Sequence, residues 1–328
     1  MDWNLGYSAA FYAHIVDPVT WKDGERIDLT GGQVSRDKSE LRQSASFDTV
    51  NFDGERWIRI YLDAKQGDSG AHVPLFTGLT ATPERNFDGS REKTPVTCYS
   101  VLKPADDVLL PYGWYAPAGV PVGGLIKDLI TGPAPFQTEE GTPVLKAPII
   151  AESGETRLTM IDKIVDATGW QLIIEGDGTI VYRRPPEEAD ITFSREYDSI
   201  ENSFEVSQDW YTAPNCVMVT DDDLTATAKD EDPESPYSIP ARGREVWLFE
   251  NNADLSEGET LAEFALRLLK EKQAVATEVT YTRRFEPDLQ PGDLIRMEYA
   301  NLQGTYRIES QDITLGYSAR TKEKTCKI

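Results

Sequence analysis

Histidine, the side chain best suited to proton transfer and metal ligation near neutral pH, occurs only at His14 and His72. Both lie in segments of strand-like composition, so a His-centred site would have to recruit carboxylates from elsewhere in the chain. The three cysteines, Cys98, Cys216 and Cys326, are far apart and odd in number. That spacing suits neither a disulfide framework nor a CxxC metal knuckle and reads as free thiols. Carboxylates are plentiful, with 56 Asp and Glu, and a glycosidase needs only two at the right separation, yet no pattern selects a pair. Asp221-Asp222-Asp223 lacks the alternating oxygen ligands, the Gly and the terminal Glu of an EF-type calcium loop and reads as a solvated acidic turn. GxxxxGK[ST], GxSxG and HExxH are absent, which removes the sequence carriers of nucleotide, α/β-hydrolase and zincin chemistry. No catalytic, cofactor-binding or metal residue is assigned, no cofactor is implied, and the expectation is a non-enzymatic chain. Two rivals stay open: a hydrolase, on the abundance of carboxylates, and a carbohydrate-binding β-module, on seven Trp and fourteen Tyr that could form stacking platforms.

Composition narrows the class further. The 328 residues exceed one typical domain and carry a formal charge of −23, a field that opposes nucleic acid and anionic lipid alike. No window approaches the ~20 apolar residues of a membrane span, and residues 1–21 hold neither Lys nor Arg, so neither membrane insertion nor a charged export signal is expected.

The elements that would hold any site read as mainly β with an α+β middle. From Tyr7 to Tyr99 short strands alternate with turn signals. Ile58, Ile60 and Leu62 alternate with Arg59 and Tyr61, as in a half-buried strand, and Leu41 to Val50 is strand-compatible. Asn51-Phe52-Asp53-Gly54 and Asn86-Phe87-Asp88-Gly89 read as two similar hairpin turns. Seven prolines from Pro111 to Pro148 break regular structure after a boundary near Asp107, with a short helix at Val122 to Ile130 weakened by Gly123 and Gly124. Leu158, Ile161, Ile164, Val165 and Thr168 share one helical face closed by Gly169. A hairpin follows: Gln171 to Glu175, Gly176-Asp177-Gly178, Thr179 to Tyr182.

Residues 221–236 carry seven acids against Lys229 and read as an acidic surface loop. Ser256 with Glu259 forms a capping box for a helix at about Glu257 to Gln273, striped by Leu261, Phe264, Ala265, Leu268 and Leu269. Strands resume at Val275 to Tyr281, then at Leu294 to Tyr299, Thr305 to Ser310 and Ile313 to Tyr317 after a Gln290-Pro291-Gly292-Asp293 turn. Four units result: a first β-barrel over 1–107, a small helix-hairpin α+β domain over 108–190, a second β-barrel from 191–215 with 276–328, and a helical insertion with the acidic loop over 216–275.

The run Phe285 to Ile295 with its Leu289-Gln290-Pro291-Gly292-Asp293 core, then Gly304-Thr305-Tyr306-Arg307-Ile308, then Asp312 to Leu315 and a basic ending at Lys322, Lys324 and Lys327, resembles the late-control-D-like family of phage tail baseplate hubs. Leu75-Phe76-Thr77-Gly78 is similar to the family's first-barrel strand, and Ala167-Thr168-Gly169-Trp170 with Asp177-Gly178 to its middle helix and hairpin. The resemblance implies two barrels of one topology. It also implies a homotrimeric ring between a six-fold tail tube and a three-fold spike or tail tip, contacts with other baseplate proteins, assembly in the bacterial cytoplasm and a place in the virion. With the −23 charge, such a ring is expected to have an acidic lumen. The chain stops at Ile328 without the receptor-binding or wall-degrading extension of longer tail-tip members, so those tasks are expected of other proteins. Leu75 to Leu79 and Leu302 to Tyr306 are expected to be matching Gly-containing strands of the two barrels.

Overall fold

The computed structural model describes the whole chain except residues 4, 39–40, 51, 82–85, 89–90, 190, 194–203, 222–223, 252–259, 276, 300–301 and 317–318. The first region contains β1 (Ser8–Val16), β2 (Asp23–Asp28), β3 (Gly31–Arg36), β4 (Gln43–Thr49), β5 (Trp57–Gln66), β6 (Ser69–Thr80), β7 (Asn86–Asp88) and β8 (Arg91–Ser100). Ile58, Ile60 and Leu62 of β5 are fully buried against Leu75, Phe76 and Val96, as their alternation predicts. The other face of β5 was expected in water but is covered as well, with Arg59 and Tyr61 each 7% exposed. Polar type misleads there because Asp23 and the middle domain supply partners. The two Asn-Phe-Asp-Gly runs also differ. Asn86 to Asp88 form β7, which pairs back on β8, whereas 51–54 link β4 to β5, strands that are not neighbours. The latter is not a hairpin, and Phe52 drops into the core against Phe47.

The middle holds α1 (Lys103–Asp106), β9 (Tyr115–Ala116), α2 (Val122–Leu129), β10 (Phe136–Thr138), β11 (Ile149–Ile150), α3 (Arg157–Thr168), β12 (Gln171–Ile174) and β13 (Ile180–Arg183). Thr156 Oγ1 accepts the Thr159 amide at 3.1 Å to start α3, and Gly169 ends it at φ 66°. Gly123 is needed in α2 for space: a Cβ there would sit 2.9 Å from Thr142 Cγ2.

The last region contains β14 (Ile191–Phe193), β15 (Glu205–Gln208), β16 (Cys216–Asp221), β17 (Leu224–Lys229), β18 (Trp247–Asn251), β19 (Thr277–Arg284), β20 (Leu294–Tyr299), β21 (Leu302–Leu315) and β22 (Arg320–Lys327). Two expectations are corrected, and a third falls on residues outside the described ones. The acidic loop is in part a strand: β17 pairs with β16 and lays Ala226 and Ala228 against the helix Leu261–Val275, since its Thr-Ala alternation fits a sheet whatever the flanking charge. Ser256 and Glu259 lie outside the described residues, and the capping box is made by Thr260 and Glu263, each side chain accepting the other's amide at 3.3 and 2.9 Å. The two strands expected around Ser310 to Asp312 are the single 14-residue β21. Its polar middle resembles a turn but is hydrogen-bonded within the sheet, through Gln311 and Asp312.

The two β-regions share one strand order. Six strands of the first run β3-β4-β8-β6-β5-β1 across the sheet, and six of the second run β15-β19-β22-β21-β20-β14. Taken in chain order the two sets correspond strand for strand. They differ at one end, where β1 meets β5 antiparallel and β14 meets β20 parallel. The middle domain follows the sixth strand of the first set, and the segment from β16 to the helix Leu261–Val275 is inserted between the second and third strands of the second.

The fold is thus mainly β with an α+β middle, but closure into two separate barrels is not seen. Among the described residues the sheet runs open from β15 to β2, passing between regions where β21 pairs with β3, from Gln311↔Arg36 to Leu315↔Gly32. The length of β21 is the reason: its first half pairs with β20 and its second half reaches β3.

Candidate functional site

His14 and His72 lie on the polar face of β1, β5 and β6, away from the core. His72 Nδ1 is 2.6 Å from Asp63 Oδ1 and its ring stacks on Tyr61 at 4.3 Å, while His14 Nδ1 meets the Gly24 carbonyl at 2.8 Å. Among the described residues no three His, Cys, Asp or Glu side chains converge as metal ligands. All three thiols are free and buried. Burial pushes Cys98 well above the ordinary thiol range, and burial together with a hydrogen bond to Glu309 pushes Cys326 up to about 12. Neither can supply a thiolate nucleophile at neutral pH. Of the Asp221 to Asp223 run, Asp221 ends β16 and the other two lie outside the described residues.

The most buried carboxylate is committed to structure. Glu323, on β22, accepts from both Nε and Nη2 of Arg283 at 2.8 Å, from the Tyr281 hydroxyl at 2.8 Å and from Gln311 Nε2 at 2.7 Å. Desolvation alone would lower Arg283, but the facing Glu323 charge outweighs it and holds the guanidinium above its usual range. With its oxygens shared among four donors, Glu323 has no lone pair directed at a substrate.

What the polar residues build instead is a junction. The turn Gly176-Asp177-Gly178, read in the sequence only as a hairpin tip, plugs the polar face of β5 and β6. Thr77 Oγ1 donates to the Gly176 carbonyl at 2.8 Å, and Arg59 Nη2 donates to the Asp177 carbonyl at 2.9 Å while its Nη1 pairs with Asp23 at 2.8 Å. Only Gly fits at 176, where a Cβ would fall 1.9 Å from the Pro74 carbonyl oxygen. On the other flank of the middle domain, Gln171 Nε2 donates to the Gly292 carbonyl at 3.2 Å and Arg183 pairs with Asp293. The Pro291-Gly292-Asp293 turn is therefore a contact point, not a mere connection. Arg42 adds an ion pair to Asp162 of α3 at 2.5 Å. The middle domain is thereby bolted to both β-regions by groups whose sequence neighbours gave no sign of it.

Surfaces left over are of two kinds. Strand β15 is a sheet edge with all four residues exposed. The face of β16–β18 opposite the helix Leu261–Val275 exposes Trp247 and Phe249, aromatic anchors of the type protein interfaces favour.

No protein-family model matches the sequence, and no curated protein matches it. Solved structures do match over nearly the full length. The tail protein from Neisseria meningitidis MC58 aligns with TM-score 0.70 at 15% identity, over 98% of this chain and 97% of that one. The 43 kDa tail protein of prophage MuSo2 from Shewanella oneidensis aligns with TM-score 0.69 at 13% identity, over 97% and 98%. The E. coli c3393 protein, a component of the type VI secretion system described as similar to T4 tail proteins gp27 and gp5, aligns with TM-score 0.50 at 8% identity, over 92% and 74%. The chain has the fold of these tail proteins.

The groups that sequence reasoning missed, Arg283 with Glu323 and Arg59 with Asp177, are separated by 40 and 118 residues. The one available signal for the first pair was the alternation Thr321, Glu323, Thr325, which is strand-like but polar on its inner face.

Proposed function

We propose that the chain is a structural hub subunit of a phage or phage-derived tail baseplate, with no enzymatic activity of its own. Three copies close a ring that joins the six-fold tail tube to a three-fold spike or tail-tip protein. The observation that carries this reading is the shared strand order of the two β-regions, because a trimer of such chains offers six similar units to a six-fold tube while keeping three-fold symmetry elsewhere. Residues 1–107 serve as the tube-facing unit, 191–215 with 276–328 as its counterpart, and 108–190 and 216–275 face the spike and other baseplate proteins. The likeness in fold to tail proteins supports the same setting, in the virion after cytoplasmic assembly, and the −23 charge suits a lumen that passing DNA does not adhere to.

The pairing of β21 with β3 inside the chain supplies a template for the contact between chains. The counterpart of β3 is β15, an exposed edge, and its partner in the ring is the first region of the next copy, beside β6. Edge strands are where such additions occur, and a Lys on an edge blocks them. Sedimentation of the chain alone and mixed with its tube and spike partners tests the reading. Wild type forms a trimer in at least one of these mixtures, and Val206→Lys stays monomeric with an unchanged melting curve. A wild-type chain that remains monomeric in every mixture overturns the proposal.

A further inference from the structure

A cleft of about 370 Å³ opens where β3, the end of α3, strand β12 and the turn at Gln290 to Gly292 meet. Its wall gathers Arg36, Lys38, Arg42 and Arg307 against Asp37 and Asp166, a local excess of positive charge in a chain of net −23. Two of the cations are answered, Lys38 by Glu309 at 2.9 Å and Arg42 by Asp162 at 2.5 Å. Arg36 and Arg307 are not: among the described residues neither has a carboxylate within ion-pair distance. Arg36 is only 5% exposed and donates Nη2 to the Leu75 carbonyl at 2.7 Å, which leaves its Nε a buried donor with no acceptor. Burial, only partly offset by Glu175, holds it down at about 10. Arg307 Nε is buried without an acceptor too. A guanidinium retained in that state is a standing site for an anion.

Two further features say what kind of anion. Gln43 and Gln171 line the same cleft, and each has a buried Oε1 with no donor while its Nε2 is engaged by a backbone carbonyl. The cleft therefore wants N–H groups as well as negative charge. Its wall is also a strand edge, because among the described residues β12 pairs only with β13 in the small sheet. In an antiparallel ladder alternate residues turn their N–H and C=O outward. The Ile174 carbonyl points away from β13, where Gln43 takes it, so Leu172 two residues earlier turns outward into the cleft. Inorganic phosphate or a simple carboxylate answers the guanidiniums alone. An extended polypeptide answers all three features, with main-chain groups for the edge and the amide oxygens and acidic side chains for the arginines.

We propose that this cleft receives an extended acidic segment of a partner protein, which adds to strand β12 and sets Asp or Glu side chains against Arg36 and Arg307. The inference is independent of the hub reading, since it concerns the cleft of a single chain. Dye-labelled, end-blocked octapeptide pools test it, one with Asp and Glu fixed at two alternate positions and the rest randomised, the other with Asn and Gln fixed there. Fluorescence polarisation should give the acidic pool a roughly ten-fold or greater advantage, the size expected of a desolvated charge-assisted hydrogen bond. Arg36→Gln and Arg307→Gln should each erase that preference. Arg296→Gln, an exposed strand cation outside the cleft, should leave it intact. Arg307 is the less buried of the pair, so its variant decides the matter if Arg36→Gln does not fold. Equal binding of the two pools, binding of neither, or binding of inorganic phosphate without either pool overturns the proposal.

Discussion

In the first β-region the sixth strand, β8, buries Val96 and Cys98 against Phe47 and Phe76. In the second region its counterpart β22 buries Thr321, Glu323 and Thr325, all fully covered, against Tyr281 and Arg283 of β19. Strand order is the same, but the middle of the sixth strand is apolar in one region and ion-paired in the other, where it lies beside an apolar cluster that includes Val279, Ile295, Met297 and Ile308. Topology is therefore set by pairing and connection length, while the interior needs only to be filled and its polar atoms satisfied. An apolar interior fails gradually when trimmed. An ion-paired interior fails abruptly when one partner goes, because the other is stranded without water.

Breaking the buried pair from one side should be the most damaging change. Arg283→Met leaves Glu323 with only Tyr281 and Gln311, and should lower unfolding free energy in urea by about 3–5 kcal/mol, the range for breaking a buried pair from one side. Arg283→Met combined with Glu323→Leu should recover most of the loss, since the pair replaced as a unit is close to neutral. Full additivity of the two single losses would show that the network is not a unit and would remove the contrast between the regions.

Glycines of the two fifth strands separate the regions by a smaller energy. In β6, a Cβ on Gly78 would lie 2.1 Å from the Tyr99 carbonyl oxygen and 2.5 Å from Phe76 Cζ. The first obstacle is backbone and cannot step aside without parting β6 from β8. Gly78→Ala should cost about 3 kcal/mol, the upper end for overpacking, visible as a lower urea midpoint.

Much of this architecture was legible in the sequence, and the exceptions share a cause. Alternation located β5, β19 and β20, the Gly176-Asp177-Gly178 turn between two apolar runs located β12 and β13, and helical spacing located α3 with Gly169 at its end. The split of β21 and the omission of β22 both arose where the buried face is polar: Gln311, Glu323 and the threonines look like solvent-facing residues until their partners are known. The junction was invisible for a related reason. Arg59, Thr77 and Gly176 acquire meaning only when strands 99 to 118 residues apart in sequence meet. The cleft arginines belong to the same class, since nothing near Arg36 in the chain announces that it will be buried without a carboxylate. Local pattern reports what a segment buries, and it does not report what a distant segment brings to it.

Gly304 was expected to match Gly78; both lie on the fifth strand of their set, but Gly78 sits near the end of β6 and Gly304 near the start of β21, and the physical reasons for them differ. A Cβ on Gly304 meets only the flexible end of Lys327, at 3.4 Å, so space is no obstacle. Its backbone is the obstacle, at φ 134°, a conformation that L-residues seldom adopt. Such strain costs about 1–3 kcal/mol, and the loss of backbone freedom in the unfolded chain returns about 0.4–1 kcal/mol. Gly304→Ala should therefore lower stability by about 1 kcal/mol net, well under Gly78→Ala. Strain at a single φ can be shared with neighbouring dihedrals, whereas the Tyr99 carbonyl cannot move without disturbing the β6–β8 ladder. Urea midpoints of the two variants, measured side by side, check the order. If Gly304→Ala is the more damaging, backbone strain at φ 134° outweighs the clash with the Tyr99 carbonyl, and packing at the fifth strand no longer separates the two regions.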